Sequence, residues 1–567
     1  MTLQGLVQPF IIIAVMALLA KPFGTYLYKV FEGGSTFLDP ILGPLERFAY
    51  KISGIDPQRE MRWTTYGLSL LAVNLVGFVI LFILLRIQEF LPLNPAHQSA
   101  VPFWVTFNTA ISFVTNTNWQ VYSGETTMSY LSQMWLVSQQ FISPAIGITF
   151  LLVLVRGFSR QESKTVGNFW RDLVRGILWV GLPLALVGSV VLVWLGSPQN
   201  FNPYVHATTL QGSHQVIAQG PVASMTSIMQ LGDNGGGFFN MNAAHPYAAP
   251  NAASLMFQEI LGFLIPVGVI YMFGKMINKK RQAWAIFIAM SAMFLIGSVA
   301  LYHFEAAGNP IINHIGLATH GNMEGKEVRF GVGTTSLFEN TTTAVSWGSV
   351  AASNDSLTPL GGLVTLFNMN TGEVIFGSWG VGLMGMLGYV ILAVFLAGLM
   401  VGRTPEFLGK KISAYEVKMA SLFLLIPAFA ILILTAISLT THAGLSGIFN
   451  PGPHGLTEVA YAFSSGVANN GSAFGGLSSS SPWYSATVGL AMLIGRYPMY
   501  IPLLAVGGSL ALKQRVPASA GTFPTEGPMF IGLLISTVVI VGALIFFPVY
   551  ALGPIAEHFA MVAGKLF

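Results

Sequence analysis

The sequence contains ten apolar stretches, and each is long enough to cross a lipid bilayer as a helix. They lie at about residues 6–20, 66–85, 130–155, 176–195, 255–273, 283–302, 374–400, 420–439, 484–512 and 529–550. A helix needs about 20 apolar residues to span a hydrocarbon core of about 30 Å. The first stretch reaches that length if it continues to residue 28. Only 8% of the 567 residues are charged, against about 25% in soluble proteins. The chain is therefore predicted to be an all-α polytopic membrane protein with ten transmembrane helices.

Lysine and arginine are concentrated in five of the segments that connect these stretches. Twenty-one of the 26 basic residues lie in residues 21–62, 156–175, 275–281, 403–418 and 513–515. Cytoplasmic loops of membrane proteins carry an excess of basic residues. These five segments are therefore predicted to be cytoplasmic, and the alternating segments and both termini are predicted to lie outside.

Four of the predicted outer segments contain a short run of small and mostly polar residues. These runs are VTNTNWQV at 114–121, LGDNGGGFF at 231–239, AVSWGSVAA at 344–352 and SSGVANNGSAFGG at 464–476. Non-helical backbone at membrane depth is tolerated only where it is buried in protein or lines a wet cavity. Glycine and asparagine adopt unusual dihedral angles at low cost, and exposed carbonyl groups can replace the water around a cation. The four runs together predict an ion filter on one axis.

The candidate filter residues come from all four runs, with Asn118, Gly235, Gly348 and Gly471 at equivalent points. The full set is Thr115, Asn116, Thr117, Asn118, Gln120, Asp233, Asn234, Gly235, Ser346, Trp347, Gly348, Asn469, Asn470 and Gly471. Asp233 is interpreted either as a negative charge at the mouth or as a cap that binds backbone N–H groups. One glycine-rich run alone would indicate only a flexible loop. The run at 231–239 matches neither a phosphate loop nor a calcium loop.

The order of span, outer run, span and basic link recurs four times along the chain. It predicts pore repeats at residues 62–160, 161–281, 282–412 and 413–515. Residues 1–61 would add a first transmembrane helix with a cytoplasmic link, and residues 516–567 a last one. Short apolar segments at 101–114, 222–231 and 456–467 precede three of the runs, and their length suits re-entrant pore helices.

Two predicted spans contain charged or glycine-rich features. Arg496 lies inside the stretch 484–512. Because an intramembrane arginine costs at least ~2.5–3.5 kcal/mol, it should face the interior and have a partner. It either repels cations below the filter, forms a structural ion pair or extends its side chain to the membrane surface (snorkelling). Glu373, Gly377 and Gly380 begin a glycine-rich run that indicates either close helix packing or a broken helix that gates the pore. Glu373 would attract the cation or pair with Arg496.

Several kinds of site are absent from the sequence. The chain has no cysteine, and its ten histidines show no metal-ligand spacing, so we expect no haem, copper or zinc site. No phosphate loop or DKTG signature is present, so we expect no nucleotide on this chain. No basic run alternates with aromatic residues, so we expect no nucleic acid partner.

The motifs NTNWQ (116–120), QLGDNGGGFFNMNAAHP (230–246), SWGSVAASNDS (346–356) and ANNGSAFGGL (468–477) are similar to the pore signatures of a known family. The chain resembles the potassium-binding subunits (KdpA) of the Kdp potassium-transporting ATPase. That family belongs to a superfamily of potassium transporters, whose members are similar to a tetrameric potassium channel fused into one chain. Asp233 departs from the family, in which a hydroxyl residue is common at this position.

The resemblance implies a potassium ion as the bound ion and a bacterial cytoplasmic (inner) membrane as the location. The implied partners, besides membrane lipid, are a P-type ATPase subunit (KdpB-like), a single-span subunit (KdpC-like) and a small single-span peptide (KdpF-like). The chain itself would be non-catalytic. It would pass the ion sideways through an intramembrane tunnel to the ATPase subunit.

Two other functions are considered besides an ATP-driven pump subunit. One is a stand-alone potassium channel or ion-coupled potassium transporter of the same architecture. The other is a membrane enzyme that acts on lipid or quinone, which predicts His, Asp and Glu clustered at one membrane depth. The sequence shows no such cluster.

Overall fold

A computed structural model describes residues 1–314, 321–400, 402–517 and 522–565. Within this part of the chain, ten helical segments are long and apolar enough to cross a membrane. The predicted number of spans is therefore confirmed. Two short antiparallel hairpins join β1 (Val205–Thr208) to β2 (His214–Ile217) and β3 (Glu406–Phe407) to β4 (Lys410–Lys411).

The helices are numbered in chain order. The first part of the chain contains α1 (Leu3–Glu32), α2 (Asp39–Ser53), α3 (Trp63–Arg86), α4 (Phe103–Val114), α5 (Gly124–Thr127), α6 (Tyr130–Ser159), α7 (Phe169–Arg175), α8 (Leu182–Trp194), α9 (Val222–Leu231), α10 (Ala252–Met276) and α11 (Lys280–Ala307). The second part contains α12 (Pro310–His314), α13 (Gly331–Ala344), α14 (Pro359–Asn370), α15 (Val381–Met400), α16 (Ala414–Thr440), α17 (His442–Leu445), α18 (Gly452–Ala468), α19 (Pro482–Arg496), α20 (Ile501–Leu512), α21 (Pro528–Tyr550) and α22 (Ala556–Val562). Single π-type turns at Gly176–Gly181 and Ala551–Ile555 join α7 to α8 and α21 to α22.

The same order of elements occurs four times between α3 and α20. A long helix is followed by a shorter buried helix, a non-helical loop and a second long helix; in the third case α14 and the break at 371–380 precede that second helix. The shorter helices are α4, α9, α13 and α18. Helices α1 and α21 lie before and after this series, as the predicted fold requires.

Helix α6 forms the centre of the molecule: 89% of its most apolar part is buried, against 28% for α1 and for α3. Its Gly157 lies so close to Gly507 of α20 that an added Cβ would be 2.4 Å from the Gly507 carbonyl oxygen. Gly24 of α1 lies similarly against the carbonyl of Gly268 in α10. In lipid, small residues bring helix backbones together and allow dense packing.

Two predicted spans differ from the observed helices. The stretch predicted at 374–400 is helical only from Val381, because residues 371–380 are non-helical. The stretch predicted at 484–512 is two helices, α19 and α20, with a break at 497–500 that contains Pro498. Both differences have the same reason: apolar composition continues through a break in the backbone.

The helix α13 was not predicted. Its sequence, GVGTTSLFENTTTA, is rich in threonine and has little apolar character, although nearly all of it is buried. Its polar side chains bond within the protein; Asn340, for example, donates to Ser298 Oγ over 2.9 Å. Hydropathy did not identify α13 because its buried side chains are polar and form hydrogen bonds within the protein.

Candidate functional site

The candidate filter residues lie in four non-helical loops, each of which follows the C-terminal end of a short helix. We call the loops at 115–121, 232–239, 345–352 and 469–476 loops 1 to 4. They follow α4, α9, α13 and α18, respectively. A helix C-terminus carries a partial negative charge and favours cations nearby.

The four loops begin with the same unusual backbone conformation. Asn116, Asp233, Ser346 and Asn469 have positive φ angles of 70°, 49°, 63° and 60°. Each of them lies two residues before the position that was aligned between the four runs, namely Asn118, Gly235, Gly348 or Gly471. Positive φ is uncommon outside glycine. It rotates the peptide plane, so that neighbouring carbonyl groups can face the same side of the chain.

The four loops are in direct backbone contact. The Gly235 N–H donates to the Thr117 carbonyl over 3.2 Å, which joins loops 1 and 2. An added Cβ at Gly471 would lie 1.9 Å from the Thr117 carbonyl oxygen. An added Cβ at Gly348 would lie 2.1 Å from the Asn470 carbonyl oxygen and 2.7 Å from Gly235 Cα. Only glycine fits at these points, because the backbones of all four loops meet there.

A cavity of about 160 Å³ lies at the end of the loops that is farther from the short helices α4, α9, α13 and α18. Its lining includes Gln120, Gly235, Gly348 and Gly471, so each loop contributes to it. The Gln120 side chain donates to the Gly237 carbonyl over 2.8 Å and accepts from the Gly237 N–H over 3.2 Å. Gln120 therefore braces loop 2 at the edge of this cavity.

The asparagine side chains of the loops act mainly as braces. The Asn116 Oδ1 atom accepts from Asn234 Nδ2 and from Ser143 Oγ, both over 2.8 Å. The Asn469 amide donates to Thr117 Oγ1 over 2.9 Å. Asn470 donates to the Thr342 carbonyl over 2.7 Å. These bonds fix the loops to one another and to the surrounding helices.

Two of the predicted residues support the loops from behind. The Thr115 hydroxyl bonds the Ile111 carbonyl of α4 over 2.9 Å and Thr117 Oγ1 over 2.8 Å. The Trp347 ring is fully buried and packs on Phe338, with ring centroids 4.8 Å apart. The side chains of Thr115 and Trp347 therefore pack and bond behind the loops.

Several buried oxygens at the candidate residues have no hydrogen-bond partner among the described residues. They are Asn118 Oδ1, both carboxylate oxygens of Asp233, Asn234 Oδ1 and Asn469 Oδ1. A buried acceptor without a donor costs free energy unless a cation or water is bound to it. The loops thus combine backbone carbonyls with acceptor side chains in a buried setting.

Residues 371–380 lie against the end of the loops that is opposite the cavity. The Ser378 N–H donates to the Val345 carbonyl over 2.9 Å. The Glu373 carboxylate accepts from Asn470 Nδ2 over 2.5 Å, and its other oxygen has no partner among the described residues. Glu373 and Gly380 both have positive φ. The predicted gate candidates Glu373, Gly377 and Gly380 therefore share one non-helical segment next to the loops.

Arg496 is the last residue of α19, at the break before α20. Its side chain is buried and donates to the Ser143 carbonyl over 2.8 Å. The guanidinium lies 5.6 Å from the centre of the Phe150 ring. No ion pair joins Arg496 to Glu373 or to another carboxylate of the described residues. The interior position was predicted, but the partners are a backbone carbonyl and a ring.

Glu339 and Ser465 support the loops and were not predicted. Glu339 Oε1 accepts from the N–H groups of Ala351 and Ala352 over 2.7 and 3.0 Å, which fixes the end of loop 3. The Ser465 hydroxyl accepts from the Gly471 N–H over 3.2 Å. A glutamate within the threonine-rich segment 331–344 was a signal that could have indicated such a role.

Comparison with known proteins gives consistent results over the whole chain. Residues 10–559 match the model of a family described as potassium-transporting ATPase A subunit. The curated potassium-transporting ATPase potassium-binding subunit of Mesorhizobium japonicum is 53% identical over 568 residues, with 100% of both chains covered. The proteins of the same description from Brucella anthropi and Sorangium cellulosum are 52% and 51% identical, with at least 99% of each chain covered.

The solved structures with a similar fold include that of a potassium transporter. The potassium transporter TrkH from Vibrio parahaemolyticus matches with a TM-score of 0.50 at 14% identity. The match covers 88% of this chain and 98% of that one.

Proposed function

Because the chain belongs to the family of potassium-transporting ATPase A subunits, we propose that it binds potassium ions in loops 1 to 4 and selects them for an ATP-driven uptake complex. ATP hydrolysis takes place on a partner P-type ATPase chain. The complex lies in a bacterial cytoplasmic membrane, with the cavity that Gln120 borders on the outer side. A potassium ion enters through this cavity.

The convergence of the four loop backbones is the observation that carries this proposal. Thr117, Gly235, Gly348 and Gly471 are in backbone contact. Carbonyl oxygens held in this way can replace the hydration shell of a potassium ion. Both side-chain oxygens of Asp233 have no hydrogen-bond partner among the described residues, and they add possible ligands beside the same loops.

The segment 371–380 and Arg496 lie beyond the inner end of the loops in this scheme. The non-helical segment blocks a straight path below the filter and acts as the gate. Arg496 contacts Ser143, whose hydroxyl bonds Asn116 of loop 1. Its positive charge repels a cation from the direct exit. The ion therefore leaves sideways, through an intramembrane tunnel towards the ATPase subunit.

The energetics of uptake favour a pump over a passive pore. Moving potassium into a cell against a ten-thousandfold higher internal concentration costs about 5.5 kcal/mol. A membrane potential of about 150 mV returns roughly 3.5 kcal/mol per charge. Uptake from very dilute potassium therefore needs a further energy source. ATP hydrolysis on a partner subunit supplies it.

The experiment that tests the binding site is a potassium titration of the purified chain with Gly471→Ala. Gly471 has a φ of +101°, and the added methyl would press on the Thr117 carbonyl. A left-handed alanine costs roughly 1–2 kcal/mol in strain alone. We expect potassium affinity to fall at least about tenfold, since 1.4 kcal/mol corresponds to a factor of ten.

Gly212→Ala is the matched control. Gly212 has a φ of +84°, but no atom lies within 4 Å of its added Cβ. This variant introduces similar backbone strain in an open hairpin, so potassium affinity should stay unchanged. Equal potassium affinity in Gly471→Ala and the wild type would contradict the proposed site.

A stand-alone channel or ion-coupled transporter remains the second candidate, favoured by the structural likeness to a potassium transporter. Purification of the tagged chain from its native membrane distinguishes the two. An ATPase chain that co-purifies in constant ratio supports the pump subunit. Potassium transport by the isolated chain without any ATPase would support the alternative.

A further inference from the structure

Four titratable side chains from three distant parts of the chain meet beside loop 4. His454 and Glu458 are one turn apart on α18. Asp355 lies in the 3₁₀ turn Asn354–Ser356, after loop 3, and Glu557 lies on α22. We call this group the His454 cluster. It is separate from the carbonyl groups of the proposed potassium site.

The two nitrogen atoms of His454 have different surroundings. The Nδ1 atom lies 2.7 Å from Glu557 Oε1. The Nε2 atom lies 2.8 Å from Asp355 Oδ1 and 3.8 Å from Glu458 Oε1. One ligand atom each from Asp355, His454 and Glu458 lies within 4.8 Å of the other two. In tetrahedral zinc sites with bonds of about 2.0–2.1 Å, ligand atoms are a little more than 3 Å apart. A small adjustment of side chains would therefore place all three around one ion.

We propose that the His454 cluster binds one divalent transition-metal ion, of which Zn²⁺ fits best. His454 Nε2, one oxygen of Asp355 and one oxygen of Glu458 are the ligands. Glu557 accepts the Nδ1–H of His454, and this is the arrangement that orients metal-binding histidines in known sites. The metal replaces a proton on Nε2. Imidazole favours transition metals over Mg²⁺ and Ca²⁺, which prefer oxygen ligands.

Glu458 provides a second observation that points to a cation. Its side chain is fully buried. Its Oε1 atom, which is the oxygen nearer to His454, accepts from Asn450 Nδ2 over 2.6 Å, while Oε2 has no partner among the described residues. A bound cation would stabilise this carboxylate in its charged form.

The surroundings provide both access and close packing. A cavity of about 250 Å³ borders on Asp355, His454 and Glu557, and it leaves room for a water molecule as fourth ligand. On the opposite side, an added Cβ at Gly476 would lie 1.9 Å from Glu458 Oε1. The Asp355 N–H donates to the Phe474 carbonyl of loop 4 over 2.8 Å. A metal here would connect α18 to the turn after loop 3, beside Phe474 of loop 4, and the His454–Glu557 bond would extend this connection to α22.

The experiment measures zinc binding by the full-length chain in detergent, after removal of the affinity tag and of metal by a chelator. We expect one Zn²⁺ per chain by elemental analysis after desalting, and a higher thermal midpoint with zinc than with chelator. His454→Ala should abolish both effects. Glu557→Gln should weaken zinc binding roughly 10–100-fold, as expected for a residue that orients a ligand.

His442→Ala is the matched control, because His442 is an exposed histidine on the short helix α17. This variant should keep both the bound zinc and the thermal shift. The proposal is overturned if the wild type retains no zinc, or if His454→Ala retains as much zinc as the wild type. Equal thermal protection by Mg²⁺ would also overturn it, because histidine would then not be a ligand. These measurements need no potassium binding, so their failure leaves the proposed potassium site untouched.

Discussion

At the scale of single residues, the end of loop 3 is held by one buried side chain, that of Glu339. Glu339 accepts two backbone N–H groups, from Ala351 and Ala352. Without this acceptor, the two buried N–H groups would carry the desolvation cost of unsatisfied donors. The side chain therefore determines where the carbonyl groups of loop 3 point.

We predict that Glu339→Met lowers both stability and potassium affinity. Methionine keeps most of the volume but leaves two buried N–H groups without an acceptor, at ~1–3 kcal/mol each. The thermal midpoint should fall by several degrees, and the potassium concentration for half-saturation should rise. Glu327→Met is the control, because the Glu327 side chain is 41% exposed and its pair with Arg329 should contribute little. A thermal midpoint equal to that of the wild type would show that Glu339 does not hold loop 3.

At the scale of elements, the break before α15 is held by a close approach between two backbones. The Gly382 N–H donates to the Gly377 carbonyl over 2.8 Å. An added Cβ at Gly382 would lie 2.2 Å from Gly377 N and 2.8 Å from the Glu373 carbonyl oxygen. The segment 371–380 can keep its place against the loops only if residue 382 has no side chain.

Gly382→Ala should therefore slow potassium transport by displacing this segment. We expect turnover of the complex in proteoliposomes to fall several-fold, with a smaller change in potassium affinity than Gly471→Ala causes. Gly532→Ala on α21 is the control, since no atom lies within 4 Å of its added Cβ. Alanine in an open helix position stabilises by about 0.5–1 kcal/mol, so this control should transport normally. Normal transport by Gly382→Ala would contradict the role of the segment as gate.

At the scale of the whole molecule, the orientation in the membrane stays a prediction that rests on the positions of lysine and arginine. The chain has no cysteine, so a single introduced cysteine can be labelled without background. Ser213 lies between β1 and β2 on the predicted outer side, and Gln161 follows α6 on the predicted cytoplasmic side. Both are exposed.

We predict that a membrane-impermeant maleimide labels Ser213→Cys in intact spheroplasts. The same reagent should label Gln161→Cys only after the membrane is made permeable. Labelling of Gln161→Cys in intact cells would reverse the proposed orientation and place the cavity of the loops on the cytoplasmic side. Both variants should be labelled equally in detergent, which verifies that both positions are accessible.

The family resemblance and the number of spans could both be read from the sequence, and both are confirmed. The breaks at 371–380 and 497–500 could not be located, because glycine-rich and apolar residues also form continuous membrane helices. Helix α13 was missed for the opposite reason, since its threonines look like a loop until their bonding partners are known. The use of the four loops for potassium stays a proposal.

Local properties of the chain determined the number of membrane spans and the positions of the four loops. Apolar length and the low conformational cost of glycine and asparagine act within a few neighbouring residues. Tertiary structure alone decided that Arg496 meets a carbonyl rather than Glu373. It alone brought Asp355 to His454, 99 residues away along the chain. Such contacts depend on how whole helices pack against one another, and this packing cannot be predicted from any short stretch of the sequence.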